Sequence, residues 1–366
     1  MASTVNIAPS ILKKYILCTR CLSRQAKEKV SGNIRRKGIC YICNGLMERI
    51  DDLLELTLAA LEEYRYKSFL LGAMVPSQML EREDEVRSRF KIKGAESIKS
   101  YLTKQLGKML TKKTGKRVDY VKPDVTINID LVGNKVTVRS KPIHLYGRYV
   151  KRARGLSQRQ ERCGNCMGKG CVKCDNTGLS GLSSIEGIIV RKLIDAFKCE
   201  RTKFAWVGGE DKDSLVLNKG RPFFVKVINP RLRFAKPRSV TKNGVHVRFI
   251  KRVGGLPDKP LRFKTKVRLL AECECNITSA ALAKINALNN TAISFLGKHG
   301  REVSRNIYEI SAKASGNTLN LMMLADGGFA IKQFVGGDGI APSISQIVGS
   351  KVICKSFDVL DVKFTD

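Results

Sequence analysis

The sequence predicts an α+β protein that combines cysteine-rich, zinc-binding segments with modules of mixed helices and strands. Three observations lead to this class: two four-cysteine sets, a run of amphipathic helices followed by a β-hairpin, and a C-terminal half in which helical and alternating patterns are interspersed. With 366 residues, 43% of them hydrophobic, the chain is long enough to bury two or three cores. We therefore expect ordered domains over most of its length.

Residues 1–45 carry the first four-cysteine set. Its spacing, C-x2-C-x18-C-x2-C, is typical of a treble-clef or ribbon site, in which two short knuckles present four sulfurs to a tetrahedral ion. We expect an intracellular, reducing environment, because no signal-peptide pattern is found near Met1, and this favours metal thiolates over disulfides. The predicted ligands of a structural Zn²⁺ are Cys18, Cys21, Cys40 and Cys43.

Residues 46–146 are predicted to form an α+β module. Apolar residues recur with helical spacing over residues 47–64 and again from Ile98 to Leu110. From Val125 the pattern changes to alternation on both sides of a Gly-Asn turn, which predicts a β-hairpin.

Residues 147–182 combine a basic segment with the second four-cysteine set. Cations alternate with tyrosines over residues 146–160, so phosphate donors and stacking rings share one predicted loop, which indicates an RNA contact. The alternative is a solvated basic linker between domains. The RNA-binding candidates here are Arg148, Tyr149, Lys151, Arg152 and Arg154.

The second set lies in the string ERCGNCMGKGCVKCDNTG, where glycines allow the turns that bring two knuckles together. Its short spacer leaves iron–sulfur ligation, or pairing with the first set, as alternatives to a second zinc site. A DnaJ-like zinc chaperone is a third interpretation of the CxxCxGxG string, which the absence of further repeats disfavours. The possible ligands are Cys163, Cys166, Cys171 and Cys174.

Residues 183–366 are predicted to form one mixed α+β domain of catalytic size. Ser183 or Ser184 can cap its first helix, which continues to Phe197. After this helix we expect strands at 204–207 and 222–227, a basic loop at 229–259, a strand at 267–273, a helix at 279–288 and further strands to Phe364.

The charge of the chain indicates a polyanionic partner. Sixty-seven Lys and Arg residues against 33 Asp and Glu give a formal net charge of +34, which attracts nucleic acid strongly. The sequence contains no apolar run of membrane-spanning length, so we expect no membrane partner and a cytoplasmic location. No protein partner is inferred.

Four segments carry a family resemblance: GRYVKRARGLSQRQ (147–160), the second cysteine set with NTG and SIEGII (to 189), GGEDKDSLVLNKGRPFFVKV (208–227) and GGFAIKQFVGGDGIAPSIS (327–345). In this order they resemble the archaeal tRNA pseudouridine synthases of the Pus-ten family, over nearly the whole chain. The resemblance implies a THUMP-containing RNA-binding part at 46–146 and a pseudouridine-synthase fold, a mixed antiparallel sheet with helices, at 183–366. It also implies isomerisation of uridines 54 and/or 55 in the TΨC loop of tRNA, without an organic cofactor.

The resemblance places the nucleophile at Asp211. The family pattern is a Gly-Arg-Glu-Asp loop ten residues before the Arg of a Gly-Arg-Pro-Phe strand, and here that arginine is Arg221. The reaction needs a carboxylate beside an unstacked uridine, because neighbouring bases otherwise hide the glycosidic carbon. Asp213 is the second choice and is expected to be structural. The other substrate-binding candidates are Arg221, Arg268 and Phe329.

Residues around the expected nucleophile depart from the family pattern. Gly209 and Leu215 replace arginines, which would make bidentate bonds that Gly and Leu do not offer. Arg268 and Ala330 fall where the family has tyrosines, and residues 339–341 replace Gly-Arg-Thr. Two functions therefore stay open: a pseudouridine synthase with altered support for its nucleophile, and a catalytically impaired tRNA-binding or folding protein of the same family.

Overall fold

The computed structural model describes residues 7–30, 38–296 and 302–365. The chain divides into two compact units. Unit 1 contains residues 1–141 together with 231–233, and unit 2 contains residues 142–230 and 234–366. The expected division after residue 146 lies inside a strand, Ile143–Lys151, that belongs wholly to unit 2.

Unit 1 packs helices on a four-stranded mixed sheet. Its described elements are α1 (Ala8–Lys14), α2 (Thr19–Ala26), a 3-10 turn (Leu46–Glu48), α3 (Ile50–Leu61), β1 (Ser68–Met74), α4 (Ser77–Arg89), α5 (Ile98–Thr114), β2 (Arg117–Val118), β3 (Val125–Asp130) and β4 (Lys135–Ser140). The strand order is β2-β1-β3-β4. β1 runs parallel to β2 and β3, while β3 and β4 form the predicted antiparallel hairpin.

Helix α5 shows why unit 1 folds in this way. Four residues at helical spacing, from Ile98 to Leu110, are fully buried, so they form one apolar stripe against the core. The side chain of Ser97 accepts a hydrogen bond from the backbone N–H of Ser100 and caps the helix. The helix predicted from periodicity is thereby confirmed.

The cysteine-bearing N-terminal segment shares its core with the rest of unit 1. Glu83 on α4 is buried and forms an ion pair with Arg24 on α2. It also accepts hydrogen bonds from the Gln25 side chain (3.0 Å) and from the Ile98 N–H at the start of α5 (3.0 Å). Because a buried charge is stable only when it is paired, these bonds fix α2 against α4 and α5.

Unit 2 is built on an eleven-stranded sheet among the described residues. Its elements are β5 (Ile143–Lys151), a 3-10 turn (Val172–Cys174), α6 (Ile185–Phe197), β6 (Arg201–Trp206), β7 (Val216–Ile228), β8 (Val240–Lys242), β9 (Val245–Val253), β10 (Phe263–Cys273), α7 (Ser279–Asn286), β11 (Thr291–Leu296), β12 (Glu302–Ser315), β13 (Thr318–Asp326), α8 (Ile331–Gly336), β14 (Ile340–Ala341), α9 (Ile344–Val348) and β15 (Val352–Phe364). The strand order is β14-β11-β12-β13-β10-β15-β7-β5-β9-β8, with β6 also paired to β7.

The sheet consists of two antiparallel halves that meet between β15 and β7. This junction is parallel and rests on a single pairing, between Val359 and Val216, whereas the other described strand pairs of the sheet are antiparallel. Residues 208–215 lie immediately before β7 and form what is called here the Asp211 loop. The junction of the two halves therefore places this loop beside β15.

The prediction of a loop over residues 229–259 is wrong for the central part of this segment, which forms the β8–β9 hairpin. Val245 and Val247 are buried, and three cations follow them in β9, at positions 248, 251 and 252. The charge of these residues concealed a half-buried strand. The helix expected after Ser184 is confirmed as α6, with Ser184 as its cap. In the part of the chain that is described, no helix has the length and apolar character needed to cross a bilayer.

Candidate active site

A cavity of about 290 Å³ lies at the junction of the two sheet halves in unit 2. Its walls are mainly apolar and include three aromatic rings, and its polar groups come from the Asp211 loop, helix α8 and strands β7, β10 and β13. A pocket of this kind suits a flat, partly polar ring. The lining residues used below are Asp211, Arg221, Phe263, Val267, Phe329, Lys332, Gln333 and Phe357.

Asp211 stands at the edge of this cavity with its side chain 47% exposed. Its carboxylate lies 2.5 Å from the Lys332 ammonium, and this hydrogen bond raises the pKa of Lys332 above its usual value. Lys332 was not predicted as a site residue, although it belongs to the GGFAIKQ motif. Phe329, predicted as a stacking platform, also lines the cavity.

Arg221 supports the Asp211 loop from inside the protein. Its guanidinium donates to the carbonyls of Val207 (2.8 Å) and Gly209 (3.0 Å), and its Nε lies 2.7 Å from the Glu210 carboxylate. At 2% exposure, Arg221 borders the cavity as a buried loop anchor. Its predicted role in substrate binding stays a prediction, while its contacts with the Asp211 loop are a role that the sequence did not indicate.

The glycine at position 208 is required by this packing. Its φ of +72° is in the left-handed region, and a Cβ there would lie 2.6 Å from Arg221 Nη1 and 2.9 Å from Phe263 Cζ. Only glycine lets the loop pass between the guanidinium and the ring.

Tyr149 and Lys151 were predicted to contact RNA, but both are fully buried on β5. The Tyr149 hydroxyl donates to the Glu210 carboxylate (2.7 Å), and burial raises the pKa of this tyrosine far above its usual value. The Lys151 ammonium donates to the backbone carbonyls of Leu156, Asp211 and Lys212, each at 3.0 Å. Burial lowers the pKa of Lys151. Both side chains hold the Asp211 loop.

The other arginines predicted in this segment differ in accessibility. Arg148 donates to the carbonyls of Gly220 (2.9 Å) and Val362 (2.6 Å), so its guanidinium is tied to neighbouring strands. Arg152 is exposed and available to a partner. Arg154 is also exposed, but its guanidinium is bound to Asp358.

Asp358 on β15 is a further residue that the sequence prediction missed. Its carboxylate is 4% exposed and accepts from Arg154 (2.9 Å), Arg268 (3.0 Å) and the Leu215 N–H (3.0 Å). Burial alone would raise the pKa of Asp358, but these hydrogen bonds outweigh it and hold the pKa below its usual value. Strand β15 carries two acids, Asp358 and Asp361, and the sequence alone does not show which of them is buried.

Arg268 therefore does not occupy the position expected from the family's stacking tyrosine. Its side chain bonds to Asp358, and the neighbouring Val267 lines the cavity instead. Successive residues of β10 point to opposite faces, so a shift of one position changes which side chain meets the substrate.

The two four-cysteine sets each close on themselves, which excludes the pairing of one set with the other. Within each set the four Sγ atoms lie within 4.8 Å of one another. The Cys18–Cys43 distance is 3.8 Å and the Cys163–Cys171 distance is 3.9 Å. A tetrahedral ion with Zn–S bonds of about 2.3 Å places its sulfurs about 3.8 Å apart. Each donor set therefore fits one metal ion of its own.

Backbone donors in the second set favour the thiolate form that a metal ion requires. The N–H groups of Gly170 and Gly178 lie 3.2 Å and 3.3 Å from the sulfurs of Cys166 and Cys174. The Asn165 amide lies 3.4 Å from the Cys171 sulfur. Such donors orient first-shell ligands around an ion.

Comparison with known proteins assigns the family. Residues 54–130 match the family model "Pus10 THUMP domain, archaeal", and residues 144–254 match "Pus10, C-terminal". The chain is 37% identical to a tRNA pseudouridine synthase Pus10 of Nitrosopumilus maritimus, with 98% of both chains covered. It is 34% identical to the protein of the same name from Cenarchaeum symbiosum, covering 95% of this chain and 90% of the relative.

Similarity to solved structures is lower. A chain of the "Crystal Structure of a Cbf5-Nop10-Gar1 Complex" matches 48% of this chain and 44% of its own length, with 10% sequence identity and a TM-score of 0.31. The family assignment does not depend on it. Two family models and relatives aligned over nearly their whole length agree: the chain belongs to the Pus10 family of tRNA pseudouridine synthases.

Proposed function

We propose that this chain is a tRNA pseudouridine synthase that isomerises uridine 54, uridine 55 or both in the TΨC loop, with Asp211 as nucleophile and no organic cofactor. The name shared by its full-length relatives supports the reaction class. The observation that carries the proposal is the placement of Asp211. An accessible carboxylate paired with Lys332 stands at the edge of a cavity walled by aromatic rings.

The reaction exchanges the N1–C1′ bond of uridine for a C5–C1′ bond. In the proposed course, the Asp211 carboxylate attacks C1′ and forms a C1′–O bond as the N1–C1′ bond breaks. The freed uracil rotates within the cavity and bonds to C1′ through C5, which breaks the C1′–O bond and releases the carboxylate. The proton on C5 is lost to solvent and N1 gains one, so no external oxidant or reductant is needed. The rings of Phe263, Phe329 and Phe357 would stack on the extruded base, and Lys332 would orient the carboxylate.

The proposed substrate is tRNA, held mainly through its phosphates. A net charge of +34 favours such binding, and exposed cations such as Arg152 remain available in unit 2. The THUMP match at residues 54–130 supports a docking role for the module predicted at residues 46–146. We propose that the TΨC arm is the part of the tRNA that reaches the cavity.

We propose that both cysteine sets hold structural Zn²⁺. Four thiolates at tetrahedral spacing suit this ion, which closes a loop without redox chemistry. The first set would join the two knuckles of unit 1, and the second would brace the segment between β5 and α6.

A catalytically impaired tRNA-binding protein is the second candidate. Gly209 and Leu215, which replace the family's arginines in the Asp211 loop, favour it. Against it, Arg154 and Arg268 hold the end of the loop through Asp358, so the structure supplies a different support.

Release of the C5 hydrogen separates the two candidates. Unmodified tRNA labelled with tritium at uridine C5 would be incubated with excess wild-type protein, with Asp211→Asn and with the neighbouring control Asp213→Asn. We expect release with the wild type and Asp213→Asn, and a fall of at least about 10³-fold with Asp211→Asn. Salt-sensitive tRNA binding without release by the wild type would instead establish the impaired protein.

A further inference from the structure

A second cavity in unit 2, of about 660 Å³, lies beside the candidate active site. The two cavities share Phe263 and Asp326 as wall residues. The second cavity is distinct from the first, and its described lining includes no residue of the Asp211 loop. Its remaining lining residues include Arg262, Lys264, Arg305, Asn306, Tyr308 and Thr365.

The charge in this second cavity is strongly unbalanced. Arg262, Lys264 and Arg305 line it, and none of them forms an ion pair within the described parts of the chain. Asp326 is the acid among the described lining residues, and its carboxylate already accepts hydrogen bonds from other groups of the protein. Its two oxygens accept from the Tyr308 hydroxyl (2.9 Å) and the Asn306 N–H (2.8 Å).

Two of the three cations are held in place. The Lys264 ammonium lies 3.3 Å from the centre of the Tyr308 ring, a cation–π contact. Arg305 donates from Nε to the Gly327 carbonyl (3.1 Å) and from Nη1 to the Ser304 carbonyl (2.8 Å). Among its described lining residues, the cavity thus presents three cations against one carboxylate, that of Asp326, so its positive charge is only partly offset.

We propose that this cavity binds a backbone phosphate of the nucleotide next to the target uridine. The inference rests on the proposed function, because a uridine in the first cavity is covalently joined to nucleotides on both sides. Because Phe263 and Asp326 line both cavities, the second lies next to the first, where an adjoining nucleotide would be. Its phosphate is the group that positioned arginine and lysine donors bind most strongly.

A double-mutant cycle between protein and RNA tests this subsite. Every protein carries Asp211→Asn, so that binding is measured without turnover, and the ligand is a TΨC-arm hairpin. Neutral methylphosphonates replace, one at a time, the phosphates on either side of each candidate uridine. The protein variant is Arg262→Gln/Lys264→Gln, and the matched control is Lys313→Gln, an exposed lysine on β12 outside the cavity.

We expect one methylphosphonate to weaken binding about tenfold to the parent protein and to the Lys313→Gln control. The same substitution should change binding less than about twofold in the Arg262→Gln/Lys264→Gln variant, because the contact is already lost. The slope of log Kd against log salt should also fall by about 0.7 for each lost phosphate contact. Thermal melts of the variants establish that they fold.

Two results would overturn the subsite. Additive effects at every phosphate position, with hairpin binding intact, would refute the subsite alone and leave the proposed function standing. Failure of the hairpin to bind any of these proteins, the parent included, would refute the proposed substrate together with the subsite.

Discussion

At the scale of single residues, two lysines from different parts of the chain bind Asp211, one at its backbone and one at its side chain. The buried ammonium of Lys151 binds its backbone carbonyl, while the exposed ammonium of Lys332 pairs with its carboxylate. The first contact fixes where the residue lies, and the second fixes how its side chain is directed. Neither depends on the arginines that Gly209 and Leu215 replace.

Removing the Lys332 charge should impair catalysis much more than folding. For Lys332→Met we expect the single-turnover rate to fall about 10- to 100-fold, because the carboxylate loses its orienting partner. Since both groups of this ion pair are about half exposed, the free energy of unfolding should change by less than about 1 kcal/mol. Lys332→Arg keeps the charge and should keep most of the rate. An unchanged rate in Lys332→Met would contradict this role.

The stability that Asp358 contributes should depend on pH. Because its folded pKa is depressed, the contribution is fully present above the usual carboxyl pKa of 3.8 and is lost as the pH falls through the lower, folded value. Asp358→Asn should therefore reduce the free energy of unfolding of unit 2 by about 2 kcal/mol at pH 7 and pH 5. The difference from wild type should shrink below pH 3.8, as measured by urea unfolding.

Asp213→Asn serves as the control for this comparison, because Asp213 is an exposed acid in the Asp211 loop, which Asp358 contacts through the Leu215 N–H. A difference between wild type and Asp358→Asn that grows as the pH falls below 3.8 would rule out the depressed pKa.

At the scale of elements, β5 is a structural strand whose buried polar side chains hold a neighbouring loop. The Lys151 ammonium donates hydrogen bonds to three backbone carbonyls, those of Leu156, Asp211 and Lys212. Replacing Lys151 by Met keeps the volume but removes a donor from each carbonyl. The Asp211 and Lys212 carbonyls keep the N–H groups of Ser214 and Leu156, whereas the Leu156 carbonyl loses the donor described for it, which is destabilising by about 1–3 kcal/mol where no water replaces it.

We expect Lys151→Met to loosen the Asp211 loop before it unfolds unit 2. In hydrogen exchange, amides of residues 208–216 should exchange at least about tenfold faster, including the Ser214 N–H that bonds to the Asp211 carbonyl. Peptides from α6 should change little. Lys212→Met, an exposed neighbour, is the matched control. Equal exchange in wild type and Lys151→Met would show that the loop does not depend on this ammonium.

Local patterns predicted the elements whose burial follows a simple period. Helices α5 and α6 and the β3–β4 hairpin have apolar residues at regular intervals, so the sequence alone located them. Strand β9 was missed because its exposed positions carry cations. The misassignment of Tyr149 and Lys151 has another cause.

Their partners, Glu210 and the carbonyls near Asp211, lie about 60 residues further along the chain. No short-range pattern contains that information. For the same reason the family motifs predicted Asp211 and Phe329 at the cavity, whereas Asp358 and the true position of Arg268 appeared only once β10 and β15 were paired.

At the scale of the whole molecule, the two cysteine sets lie in two different units. The first set lies in unit 1 and the second in unit 2, and each is complete in itself. If both hold zinc, elemental analysis of the purified protein should give about two Zn per chain. Cys40→Ser and Cys171→Ser should each lower this by about one and reduce thermal stability, because metal binding is coupled to folding.

Cys199→Ser is the control, since Cys199 is a lone buried thiol outside both sets. Iron in place of zinc, or a metal content unaffected by either ligand substitution, would contradict the assignment.

Several elements of unit 2 build its candidate active site. Strand β7 begins directly after the Asp211 loop, β15 supplies Asp358, and α8 supplies Lys332, so elements from both halves of the sheet build the site. This explains why the accessible carboxylate lies at the one parallel junction among the described strand pairs of that sheet.

The most direct test of the central claim is a nucleotide-by-nucleotide map of pseudouridine in an unmodified tRNA transcript after incubation with wild-type protein or Asp211→Asn. We predict product at position 54, position 55 or both with the wild type, and none with the variant. Product elsewhere in the tRNA would contradict the assigned target, and equal product from Asp211→Asn would contradict the assigned nucleophile.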